Sequence, residues 1–162
     1  MQNPVTVPSY PLTGMHLSAA VAEAMGLGKP ELMTLPHQVG FTETYIIRAD
    51  RCPYSCEIAG CDHEHWTRAA GLYAVKPYAF EIGDAWEVLR WVAQQDGDLY
   101  FAFIYGLGIE AAKHGLENKL YAWHTVLLEM ADGHKFPDML CRALLYGVAN
   151  RERWAGCQRP RL

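Results

Sequence analysis

The 162-residue chain reads as an α+β domain, a helix, antiparallel sheet, helix sandwich into which a Cys/His-rich hairpin or loop is inserted. Three observations point there. Apolar residues recur at helical spacing near both ends, among residues 15–25 and 137–148. Between them lie short runs rich in β-branched and aromatic residues. The connections between those runs are short, which favours antiparallel pairing with helices laid over the sheet.

The single domain is expected over residues 13–154, between an irregular lead-in (1–12) holding Pro4, Pro8 and Pro11 and a basic tail (155–162). Met15, Leu17, Ala20, Val21, Ala24 and Met25 form the apolar face of a first helix, with Thr13 as N-cap and Gly26 as stop. Residues 29–40, interrupted by Pro30 and Pro36, read as a loop, and 41–49 (FTETYIIRA) as a strand. Residues 50–71 are the insertion. Pro77 leaves 72–80 extended or irregular, and a helix follows with Asp84 near its start and Trp86, Leu89, Val92 and Ala93 as its buried stripe. Residues 94–98 end it.

The run 99–105 (LYFAFIY) predicts a central strand covered on both faces and closed by Gly106 and Gly108. Residues 109–118 read as a loop and 120–130 (LYAWHTVLLEM) as a further strand. The last helix starts near Pro137, a residue favoured in a first turn, and runs to about Arg153.

The insertion holds the densest polar constellation, Cys52-x3-Cys56-x4-Cys61-x-His63-x-His65. Were 61–65 extended, Cys61, His63 and His65 would share one face, with Cys52 and Cys56 able to close a tetrahedron over it. Zinc takes four sulfur or nitrogen ligands, so these five residues are candidates for one structural zinc ion, set against the plain reading of a polar surface hairpin with reduced thiols. A region with so few aliphatic side chains gains order from coordination that burial cannot give it. Catalytic signatures are missing: there is no His-Glu-x-x-His, no Gly-x-Ser-x-Gly around Ser9, Ser18 or Ser55, and no phosphate loop at Gly106-Leu107-Gly108.

Three segments in order, LSAAVAEAMG (17–26), PYAFEIGDAWEVLRWV (77–92) and FPDMLCRALLYGV (136–148), resemble the phage ABA-sandwich domain. This is a family of small accessory proteins of tailed phages and prophages. The middle match is the most specific, since it sets a tryptophan in the first turn of a helix after a nearby tyrosine. Residues 101–121 and Phe80-Glu81 depart from the pattern. The resemblance implies the same helix, sheet, helix sandwich and no activity.

Lys and Arg number 14 against 18 Asp and Glu, a formal net charge of −4, which argues against a general nucleic-acid binder. The only basic patch is Arg151, Arg153, Arg159 and Arg161. No apolar run is long enough for a membrane span, and the first residues lack the features of a signal peptide, so the expected location is the cytoplasm of the host bacterial cell. The expectation that follows is a non-enzymatic phage accessory protein, serving counter-defence or host takeover, that binds a host protein or a small nucleotide-like ligand. Trp91, Trp66, Arg151 and Arg153 are its candidate contacts, and a homo-oligomer is compatible with it. The alternative is a metal-dependent enzyme acting on a nucleotide or similar anion through the Cys/His cluster.

Overall fold

The computed structural model describes residues 13–37, 40–54, 71–113 and 135–157. Within them the chain is α+β: helix α1 (Gly14–Ala24), strands β1 (Pro30–His37), β2 (Gly40–Arg48) and β3 (Leu72–Ala74), then helices α2 (Ile82–Gln94), α3 (Gly97–Lys113) and α4 (Lys135–Asn150). A 3-10 turn, Arg151–Trp154, closes α4. The expected strand at 120–130, the lead-in 1–12 and most of the insertion lie outside the described residues.

The strands form an antiparallel sheet in the order β1-β2-β3. Residues 29–40, expected as a loop, contain β1, and the register explains how a strand accommodates two prolines. Pro30 lies opposite Ile47 and Pro36 opposite Phe41. The Tyr45 carbonyl accepts from Val75 N–H, so the odd-numbered residues of β2 turn their backbone groups toward β3 and the even-numbered ones toward β1. Hence Met33, opposite Thr44, bonds to β2, whereas the N–H positions of Pro30, Leu32, Thr34 and Pro36 point away. The prolines give up donors that β2 never uses, the arrangement an edge strand tolerates.

Helix α1 covers one sheet face. His16 Nδ1 lies 2.7 Å from the Tyr45 hydroxyl, and Leu17, Val21 and Ala22 enter the main core with Ile47. The helix starts and stops where its sequence places it, with Thr13 at the N-cap, although that side chain makes no capping bond, and Gly26 at φ 75° just past its end. Ser18, fully buried, accepts the Ala79 N–H at 3.0 Å and fastens α1 to the turn that leads into α2. On the opposite sheet face Ile46 and Leu72 form a smaller cluster with Met33 and Ala74.

Two helix expectations are corrected. The buried stripe of α2 is Ala85, Val88 and Val92, so of the expected Trp86, Leu89, Val92 and Ala93 only Val92 belongs to it. Leu89 is half-buried, Ala93 exposed, and Trp86 47% exposed in a T-shaped contact with Phe136 at 6.1 Å. Residues 99–105, expected as a strand, and 109–113, expected as part of a loop, lie in α3. Its buried residues Leu99, Ala102, Phe103, Gly106, Glu110 and Ala111 recur at three- and four-residue spacing, the helical signature. Gly106 and Gly108 do not end an element; they sit inside the helix.

Gly106 and Gly147 let α3 and α4 approach closely. A Cβ on Gly106 would stand 2.9 Å from Tyr146 Cδ1 and 3.0 Å from the Ala143 carbonyl oxygen, and one on Gly147 would stand 3.1 Å from Phe103 N. Leu99 and Phe103 of α3 meet Gly147 while Gly106 meets Ala143 and Tyr146, so the two helices run antiparallel. Helix α4 contributes Met139, Leu140, Cys141, Ala143 and Leu144, all buried, to the main core.

Candidate binding surface

Where α3 and α4 meet the 3-10 turn, five aromatic rings form a continuous row. Tyr100 meets Phe101 edge-on at 5.5 Å, Phe101 stacks on Trp154 at 6.4 Å and 18°, Trp154 meets Tyr105 at 5.5 Å, and Tyr105 meets Tyr146 at 6.0 Å. Helical spacing produces the row: Phe101 and Tyr105 are one turn apart on α3, and Tyr146 stands on α4 where Gly106 brings the helices together. Tyr105 is 52% exposed, and Ile104, its neighbour along α3, is also exposed. Large apolar side chains left in water next to a row of aromatic rings mark a surface for contact.

The polar rim is held in place. Asp96 Oδ1 accepts the Leu99 N–H at 3.1 Å, capping α3, while Oδ2 pairs with Arg151 Nη2. Asp98 Oδ1 accepts Gly156 N–H at 3.2 Å, and Asn150 Nδ2 donates to the Tyr146 carbonyl at 2.9 Å. Trp154 Nε1 is buried, with no hydrogen-bond partner among the described residues. Arg151 is therefore engaged within the molecule, and Arg153 is exposed beside Trp154. With Asp96, Asp98 and Glu152 also at this end, its charge is mixed rather than basic.

Of the other sequence-predicted contacts, Trp91 is half-buried against the main core, with its carbonyl accepting from Gln95 Nε2 at 3.2 Å. Trp66 lies outside the described residues. The sequence reading placed Tyr100, Phe101 and Tyr105 within the strand expected over 99–105, where 101 and 105 would not be stacked one turn apart. It missed Trp154, whose signal was its position directly after Arg153.

Of the five candidate metal ligands, Cys52 is described, half-buried in the turn after β2; Cys56, Cys61, His63 and His65 lie outside the described residues. Among the described residues no group of three or more His, Cys, Asp or Glu side chains is placed to hold a metal ion. The root of the insertion is firmly fastened. Ala49 N–H donates to the Gly71 carbonyl at 3.0 Å, and the Tyr54 hydroxyl donates to the Ala74 carbonyl. Lys76 extends its ammonium over the Tyr54 ring at 4.9 Å, pairs with Glu87, and lies 3.9 Å from Asp84 Oδ1.

Two carboxylates hold the Lys76 ammonium, whose side chain is only 11% exposed, in a fixed ion-paired position. Burial raises the phenols of Tyr54 and Tyr78 above their ordinary value, which keeps both neutral. This polar node joins the insertion root, the segment after β3 and α2 as a structural tie.

Comparison of the chain with protein-family models, curated proteins and solved structures finds no match in any of the three. Among the described residues no helix is long and apolar enough to cross a membrane.

Proposed function

We propose that this chain is a non-enzymatic binding protein that engages a host protein through the aromatic row Phe101, Trp154, Tyr105 and Tyr146. The observation that carries the reading is the exposure of Tyr105 and Ile104 on a helix locked to its neighbour by close packing. Rigid aromatic anchors rimmed by mixed charge suit a protein partner. A nucleotide phosphate would meet Asp96, Asp98 and Glu152 as well as arginine, so the protein partner is the better fit.

The resemblance of residues 17–26, 77–92 and 136–148 to the phage ABA-sandwich domain supports the wider reading. On it, the chain is a helix, sheet, helix sandwich acting in the host cytoplasm as a phage accessory factor, in counter-defence or host takeover. Cys52, Cys56, Cys61, His63 and His65 hold one structural zinc ion in this proposal. What supports it is the ligand count together with the chain's leaving and returning at one end of the sheet. Metal analysis of the purified protein, before and after a chelator, is expected to give one zinc per chain and a lower unfolding temperature once it is removed. Metal-free protein of unchanged stability refutes the zinc.

A photo-crosslinking residue placed at Tyr105 tests the binding reading. In host cells it is expected to capture one protein that the same residue at exposed Glu23 of α1 does not, with Ile104→Lys abolishing capture while leaving the fold intact. Equal capture from both positions, or none from Tyr105, overturns the proposal.

A further inference from the structure

Strand β1 presents its outer edge unpaired among the described residues, and the chemistry of that edge is symmetric. Of the four residues whose N–H positions point away from β2, the outer two are Pro30 and Pro36, which have none to give, and the inner two are Leu32 and Thr34, which have both donor and acceptor. The prolines stand three residues on either side of Met33, and the donors one residue on either side. Edge prolines usually blunt a strand against pairing. Here they leave a short central window open and close everything beyond it.

We propose that β1 pairs edge to edge with β1 of a second copy of this chain, antiparallel about a twofold axis at Met33, joining the two sheets into one. In this register Leu32 exchanges both backbone bonds with Thr34 of the second copy, so every outward donor on both edges finds an acceptor. Pro30 falls opposite Pro36 of the second copy, where neither strand has an N–H to lose. A partner strand of unrelated sequence would bring donors to the proline positions and find acceptors there but nothing in return; the chain's own β1 leaves no such mismatch.

The side chains fit the same symmetry. Leu32 is 52% exposed, and across the axis it approaches Leu32 of the second copy as a diagonal neighbour on one face. On the other face Met33, at the rim of the cluster with Ile46 and Leu72, faces its own copy and makes the two clusters continuous. The interface is small, at the weak end of specific contacts, so it is expected as a concentration-dependent dimer. It lies on the sheet and is independent of the aromatic row on α3 and α4.

The experiment is sedimentation equilibrium of the full chain over a dilution series, with two variants. The wild type is expected to shift from monomer to dimer. Thr34→Pro removes an N–H that β2 does not use, at a position type where β1 already holds proline, and is expected to keep the monomer's circular dichroism spectrum and abolish the dimer. Met33→Cys sets two thiols directly opposite at a non-hydrogen-bonded pair, where Cα atoms stand within disulfide reach. Mild oxidation should join the chains through position 33, which the wild type run in parallel cannot do. A wild type that stays monomeric throughout, a dimer that Thr34→Pro leaves intact, or a dimer of the Met33→Cys variant that never joins through that position overturns the proposal.

Discussion

One carboxylate of Asp96 serves two elements at once: Oδ1 caps the first turn of α3 through Leu99 N–H, and Oδ2 pairs with Arg151 at the end of α4. The two roles have different weights. A side-chain N-cap is worth about 1 kcal/mol, whereas a half-exposed ion pair is worth about 0–1 kcal/mol. Asp96→Ala is therefore expected to lower stability by about 1–2 kcal/mol, and Asp96→Asn, which keeps a capping acceptor, by clearly less. Urea unfolding of both, alongside Arg151→Ala, separates the terms; equal losses for Asp96→Ala and Arg151→Ala would show that the cap contributes nothing.

Glycines inside α3 are expected to respond in opposite directions. Gly106→Ala puts a methyl 2.9 Å from Tyr146 and 3.0 Å from the Ala143 carbonyl, so the helix pair must part, at about 1–3 kcal/mol. Gly108 is exposed with nothing within 4 Å of an added Cβ, and alanine there is expected to stabilise by up to about 1 kcal/mol. Thermal unfolding of the two variants checks the contrast, and a stabilised Gly106→Ala would mean that the helices are not held at this spacing.

Ser18 is the sole acceptor shown for the buried Ala79 N–H. Ser18→Ala leaves that donor without a partner in the core and is expected to cost about 1–3 kcal/mol, more than a serine's bulk would suggest. Hydrogen exchange at the Ala79 amide is the direct readout: it should accelerate in the variant well beyond the global change in stability.

Burial raises the Cys141 thiol from an ordinary value near 9 to about 12. The folded state thus favours the neutral thiol, so this contribution to stability is whole below about pH 9 and is lost as the pH rises toward 12. Tyr54 and Tyr78 shift in the same direction and add to the alkaline loss. At mildly alkaline pH a disulfide reagent is expected to label exposed Cys157 quickly and Cys141 only on unfolding. Fast labelling of Cys141 in the native protein would contradict its burial.

The residues that sequence reasoning placed well are those with one strong local signal. Helix α1 between Thr13 and Gly26, strand β2, the broken stretch at Pro77 and helix α4 from its proline all fall where periodicity and turn chemistry put them. Strand β1 was hidden because a proline's missing donor harms a strand only when a neighbour needs it, and that depends on a register no local pattern carries. Helix α3 was hidden because aromatic residues suit strands and glycine suits endings. Only the partner helix reveals that Gly106 is there for close approach. In α2 the arc of apolar residues is wider than the face the core uses, so Trp86 could be assigned inward from sequence while the structure turns Ala85, Val88 and Val92 there instead. The aromatic row shared that fate, since its rings come from three elements that sequence did not bring together.

The pairing of Arg48 with Leu72, tightened by Ala49 and Gly71, makes the end of the sheet a fixed socket for the stretch of chain between them. Because the entropy of closing such a stretch grows only slowly with its length, shortening or lengthening it beyond Tyr54 asks little of the ladder that anchors it. The sheet end thus serves as a chassis for that stretch, and a change in its length is expected to leave the Arg48–Leu72 pairing intact.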